Sequence, residues 1–212
     1  MIELTFEETR IIGSLIEKEL TTPEYYPLTV NSLMKACNQK SNREPVVSFD
    51  EKIIETGLES LRGKALARRV TGSDIRVAKY RQSFTDELKL TPQETAVMCV
   101  LMLRGPQTPG EIKGRTGRMF SFENLSQVDA VLQNLIQKEE PLVAKLPRQA
   151  GTKESRYSHL LSGAPSNIET AQKENDQPDQ AERITKLEGD IENLRAELNE
   201  LKDQFEKFKN QF

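Results

Sequence analysis

Two distant stretches of this chain open in the same way, and that repetition constrains the fold more than any other feature. Leu4-Thr5-x-x-Glu8-Thr9 returns as Leu90-Thr91-x-x-Glu94-Thr95, 86 positions later. Matches continue in the same order at other offsets. Thr29-Val30-Asn31-Ser32-Leu33 aligns with Thr108-Pro109-Gly110-Glu111-Ile112 at 79, Ser48-Phe49 with Ser121-Phe122 at 73, and Lys79-Tyr80 with Arg156-Tyr157 at 77. A drifting offset means loops of unequal length between matched elements, which is the mark of a duplicated domain rather than of a short solenoid repeat. Two domains are expected, at residues 1–86 and 87–163.

Each copy carries the same local signals. A first helix is expected after Thr5 with Glu8, and after Thr91 with Pro92 and Glu94, because the threonine accepts from free backbone N–H groups while the glutamate reaches back. A second helix is expected from Thr29, and from Thr108 with Pro109 and Glu111. A third is expected from Ser48 with Glu51, and from Ser121. Ile53, Ile54, Leu58 and Leu61 in one copy, and Leu125, Val128, Leu132, Leu135 and Ile136 in the other, recur at helical spacing. After each third helix come two β-prone pieces about a turn: LARRV and IRVAKYR around Gly72, then LVAKL and SRYSHL around Gly151. Three helices and a hairpin form the winged-helix arrangement, so the predicted class is mainly α with small β-hairpins, two tandem winged helices in all.

LIEKELTTPEYYPLTVNSLMKACNQKSNREPVV, with the later LRGPQTPGEIKGRTGRMFSF, resembles the YceH-type family, a functionally uncharacterised group of tandem winged-helix proteins. The resemblance covers about residues 1 to 163. It implies the fold and assigns neither a reaction nor a ligand.

The run Ala96 to Leu103 is apolar on every side, so this helix is expected between its own core and something else, either the first domain or a second chain; a wholly intradomain core is the alternative. At eight residues it is far short of the roughly 20 a membrane span needs. No membrane association is expected, and the N-terminus has no secretory pattern, so a cytoplasmic location is expected. Cys37 and Cys99 read as small buried side chains. With one histidine, His159, they show no metal-ligand spacing. Neither a metal nor a cofactor is called for. Nor does any phosphate-binding glycine loop, carboxylate pair or nucleophile motif point to an enzyme.

The segment 164–180, APSNIETAQKENDQPDQ, is polar and aperiodic and reads as a flexible linker. In 181–212, Ile184, Leu187, Ile191, Leu194, Leu198, Leu201, Phe205, Phe208 and Phe212 alternate by three and four residues, an a/d seam. Arg183 with Glu188, Asp190 with Arg195 and Glu197 with Lys202 are opposite charges at parallel g-to-e′ positions. A parallel homodimer is the favoured reading; a single helix folded back is the other.

Charge bears on function. Residues 1–86 hold 13 basic and 13 acidic side chains, 87–163 hold 10 and 8, and 164–212 hold 7 and 12, so the net charge of −3 comes from the tail. Candidate contacts to double-stranded DNA are Lys40, Asn42 and Arg43 before the third helix of copy one, Lys113, Arg115 and Arg118 in copy two, Arg68 and Arg69 in the first wing, and Arg148 and Lys153 in the second. Arg43 stands out because a guanidinium offers five donors to a phosphate or a carboxylate. Against this, Asp50, Glu51, Glu55 and Glu59 make the first third helix a poor reading head, whereas Asn124, Gln127, Gln133, Asn134 and Gln137 beside Glu123 and Asp129 make the second more neutral. Two functions stay open: a dimeric DNA-binding regulator, and a protein-interaction scaffold with a dimerising tail.

Overall fold

A computed structural model describes residues 2–70, 77–148 and 154–163. Its elements run α1 (Phe6–Thr21), a 3-10 turn (Pro23–Tyr25), β1 (Leu28–Thr29), α2 (Val30–Cys37), α3 (Glu51–Gly63), β2 (Ala67–Val70), β3 (Lys79–Gln82) and α4 (Phe84–Glu87), then α5 (Pro92–Arg104), α6 (Pro109–Thr116), α7 (Leu125–Gln137), β4 (Val143–Lys145) and β5 (Tyr157–His159). The protein is mainly helical with a few small antiparallel strands. Among the described residues no helix is long and apolar enough to cross a membrane. The wing tips, the linker and the heptad seam from Ile184 to Phe212 lie outside the described residues.

The order helix, helix, helix, strand pair occurs twice, and the pairing agrees in detail. The Thr5–Glu8, Thr91–Glu94 and Thr108–Glu111 capping boxes are all present, and Thr29 caps α2. In the first half Glu8 also receives the Lys64 ammonium at 2.7 Å, and Lys64 is the C-cap of α3. In the second half Glu94 receives Lys138 at 3.2 Å, and Lys138 is the C-cap of α7. One carboxylate thus closes the start of a first helix and holds the end of a third. β2 pairs with β3 and β4 with β5, both antiparallel. The Leu28–Tyr80 pairing of β1 with β3 has its counterpart in the Gln107–Tyr157 bridge.

Two helix starts and two short elements differ from expectation. α3 is capped by Asp50 and α7 by Asn124, not by Ser48 and Ser121, because each stands immediately before the helix and its side chain accepts from the N3 backbone N–H. β1 and α4 carry no signal of their own in the sequence; the first is held by a partner some fifty residues away, and the second is one turn seated on the buried Phe84.

The two halves share a core. Residues Glu8–Ile16 of α1 and Glu94–Leu103 of α5 are buried without a break, and these two helices pack on one another. The partner of the all-apolar helix is therefore α1. Gly13 permits the approach: a Cβ there would lie 2.9 Å from Leu103 Cδ2. The Cys99 thiol donates to the Gly13 carbonyl at 3.4 Å. Gly57 does the same for α3, where a Cβ would fall 2.4 Å from Ile11 Cδ1. Each buried Leu, Ile or Val in this seam contributes about 1.5–3 kcal/mol relative to exposure. Both cysteines are buried, and burial pushes the Cys37 thiol up to about 11.

Candidate functional site

The α2–α3 connection runs through residues 38–50 and the α6–α7 connection through 117–124. The longer one reaches across to α5, where the Glu44 N–H donates to the Leu103 carbonyl at 2.9 Å. Asn42 takes a left-handed backbone, φ 60°, a conformation asparagine tolerates better than most residues. Its carboxamide oxygen accepts from Arg104 at the end of α5. The shorter connection approaches the same place from the other side. Between them lies a cleft of about 430 Å³, walled by α1 (Glu17, Lys18), the first loop (Asn42), α5 (Arg104) and the end of α6 with its turn (Arg115, Arg118).

Asn42, Arg115 and Arg118 thus meet in one place, although they belong to different halves of the chain. Arg115 is half-buried, 3.7 Å from Glu111, and Arg118 is exposed. Glu111 is drawn more closely by Arg156 at 2.8 Å; burial raises its pKa, while the Thr108 N–H, Arg156 and Arg115 together bring it below the usual value. Lys18 and Arg104 join the cleft, and sequence reasoning missed both. On a helix each reads as an ordinary surface charge, and only the packing of α1 on α5 turns them toward a shared space. Burial, then the nearby Arg115 and Arg43, lower the pKa of Arg104, a sign of crowded positive charge.

Arg43 departs from the expectation of an accessible phosphate contact. It is buried, and its guanidinium donates to both Glu17 carboxylate oxygens at 3.1 and 2.6 Å, to the Ala36 carbonyl at 3.1 and 2.9 Å, and to the Asn42 carbonyl at 2.9 Å. Of the two acceptors a guanidinium suits, it takes a carboxylate of its own chain. Arg43 holds the wall of the cleft rather than facing it.

The other candidates lie elsewhere. Lys40 is exposed in the first loop, and Lys113 donates to the Glu123 carbonyl at 2.9 Å. Arg68 and Arg69 are exposed on β2, with Arg68 3.4 Å from Glu87. Arg148 lines a hollow of about 360 Å³ with Leu125, Asp129, Lys145 and Tyr157, beside the start of α7. Lys153 lies outside the described residues. Asp50, Glu51, Glu55 and Glu59 are exposed on or before α3; on α7 Gln133, Asn134 and Gln137 are exposed with Ser126 and Asp129, whereas Asn124 caps the helix and Gln127 is half-buried and bonded to Glu123.

Residues 4–152 match the family described as "Protein of unknown function, DUF480". Among curated proteins, a UPF0502 protein of Solibacter usitatus is 50% identical over 210 residues, covering 99% of this chain and 98% of the relative. One from Pelobacter propionicus is 48% identical over 212 residues, covering 97% and 96%, and one from Citrifermentans bemidjiense is 54% identical over 164 residues, covering 77% and 76%. A match over most of the chain, and identities near one half along almost its whole length, make this protein a member of the DUF480 (UPF0502) family, in keeping with its YceH-type resemblance.

Proposed function

We propose that this protein is a non-enzymatic DNA-binding regulator built from two winged-helix domains, residues 1–86 and 87–163, and paired through a coiled-coil helix at 181–212. The observation that carries the reading is the outward face of α7. Besides Ala130 it presents Ser126, Gln133, Asn134 and Gln137 with a single carboxylate, Asp129, and Lys145 and Arg148 stand at the foot of the adjoining strand. Amide side chains suit base edges, and flanking cations suit phosphates. The acidic face of α3 meets a phosphate backbone with like charge, so the second domain makes the contact. The heptad seam supplies the two-fold arrangement that brings two such faces to two half-sites.

Fluorescence anisotropy of the full chain with a labelled duplex of random sequence tests this. Binding is expected at low salt and weakens steeply as salt rises; Lys145→Ala with Arg148→Ala weakens it alike across sequences and reduces the salt slope by about 1 for each phosphate that is no longer neutralised. No binding at low salt rejects the reading. Removal of 181–212 is expected to give a monomer by sedimentation, and a monomeric full chain rejects the dimer.

A second reading has its own observation. The exposed row of Glu51, Glu55 and Glu59 on α3 suits a partner protein with a basic segment, which makes the chain an interaction scaffold. Binding of a lysine-rich peptide, abolished by Glu55→Lys, in a protein that ignores DNA supports it.

A further inference from the structure

We propose that the cleft between α1, α5 and the two helix-connecting loops binds a small polyanion, a molecule with two or more phosphate or carboxylate groups, at a place separate from the α7 face. Lys18, Arg104, Arg115 and Arg118 line it against one carboxylate, Glu17. That carboxylate is already occupied by Arg43 at 2.6 Å and Lys18 at 3.7 Å. Arg104 bonds only a neutral carboxamide, and neither Arg104 nor Arg118 has a carboxylate partner among the described residues. Arg104 is also half-buried, and the carboxylates of Glu17 and Glu111 only partly offset its loss of water and its repulsion by Arg115 and Arg43. Guanidinium groups converging in this way fit the oxygen geometry of phosphate and carboxylate.

Two glycines point to the same conclusion independently of charge. Gly114 and Gly117 line the cleft, neither has a positive φ, and nothing lies within 4 Å of a Cβ placed on either. Backbone conformation and packing would both accept alanine, and glycine inside a helix weakens it relative to alanine. What the missing side chains leave is open room in the cleft. A volume of about 430 Å³ matches small-ligand pockets and is too small for the width of a duplex. Because Asn42 comes from the first half and Arg115 and Arg118 from the second, a bound anion would touch both.

Titration calorimetry of the full chain at about 150 mM salt, where loose surface attraction is screened, uses inorganic pyrophosphate and citrate as probes. Saturable binding of one anion per chain is expected; preference for pyrophosphate assigns a phosphate ligand, and preference for citrate a carboxylate one. Arg118→Gln and Arg104→Gln should each weaken binding by about tenfold or more, the effect of removing a charged hydrogen bond. Gly114→Ala should weaken it while leaving the melting temperature unchanged or higher. Lys113→Gln, on the same helix but outside the cleft, should leave it unchanged. Failure of both probes to saturate on folded protein overturns the proposal, as does equal weakening by Lys113→Gln and Arg118→Gln. The probes are titrated without DNA, and Lys145→Ala with Arg148→Ala should spare them, so failure of the duplex reading and failure of this one are told apart.

Discussion

The two helix-connecting loops occupy equivalent places in the two halves and are fixed by different physics. Residues 38–50 are pinned by polar groups: Arg43 on Glu17 and Ala36, Arg10 donating to the Pro45 carbonyl at 2.7 Å, and the Asn38 carboxamide bonded to both the N–H and the carbonyl of Phe49 at 2.8 Å. Residues 117–124 rely more on rings, with Phe120 and Phe122 edge to face at 4.9 Å and Phe122 buried, and with fewer side-chain bonds, those of Lys113 and Gln127 to the Glu123 backbone; the long loop adds one ring contact, Phe49 on Phe6. The longer loop has residues to spare beyond a minimal turn, and it uses them to cross to the other half. A short loop can be secured by burying one aromatic; a long one has more backbone to satisfy and needs directional bonds.

That contrast is open to attack, starting with the largest effect. Arg43→Met should cost about 3–5 kcal/mol in urea unfolding because it leaves the largely buried Glu17 with only the more distant Lys18, and adding Glu17→Met should recover part of the loss. If the double variant is no better than the single, the loop is held by something other than this pair. Asn38→Ala removes two bonds at once and should cost about 1–3 kcal/mol, whereas Gln127→Ala beside the short loop should stay within about 0.5 kcal/mol.

Acid separates the halves on a smaller scale, by at most about 3 kcal/mol. Burial holds His159 of the second half down to about 4 from its ordinary 6.5. Between those values the unfolded chain binds a proton that the folded one does not, so stability falls as pH drops from 6.5 towards 4. Burial raises the pKa of Glu8 in the first half, but bonds from Lys64, Ser60 and the Thr5 N–H bring it below its ordinary 4.5, so its contribution is present above 4.5 and is lost only at lower pH. His159→Leu should flatten the upper part of a stability-versus-pH curve and spare the lower. Last, Gly114→Ala should stabilise by about 0.5–1 kcal/mol, and a loss of stability would show that the glycine answers a packing need after all.

Much of the fold is legible in the sequence because its signals are local. The Thr5, Thr91 and Thr108 capping boxes need only four residues in a row, and β2 to β5, unlike β1, fall in pieces that alternate on either side of turn residues. Ser48 with Glu51 imitates the same box, which places the expected start of α3 two residues early; Asp50 wins by standing next to the first helical turn. The all-apolar face of α5 announces a second packing partner but cannot name α1. The cleft is legible only in fragments. Asn42, Arg115 and Arg118 read as polar loop residues, but nothing in their spacing brings residues 42 and 118 together. The burial of Arg43 depends on Glu17, 26 positions away, and no periodicity encodes that meeting.

The close crossing of Gly13 against Leu103 carries a consequence for anyone cutting the chain in two. Expressed apart, either fragment would present a continuous greasy flank to water, α1 stripped of its cover in one and α5 in the other, and would clump rather than stay dispersed. The two halves therefore make a single foldable object, α1 and α5 each covering the other.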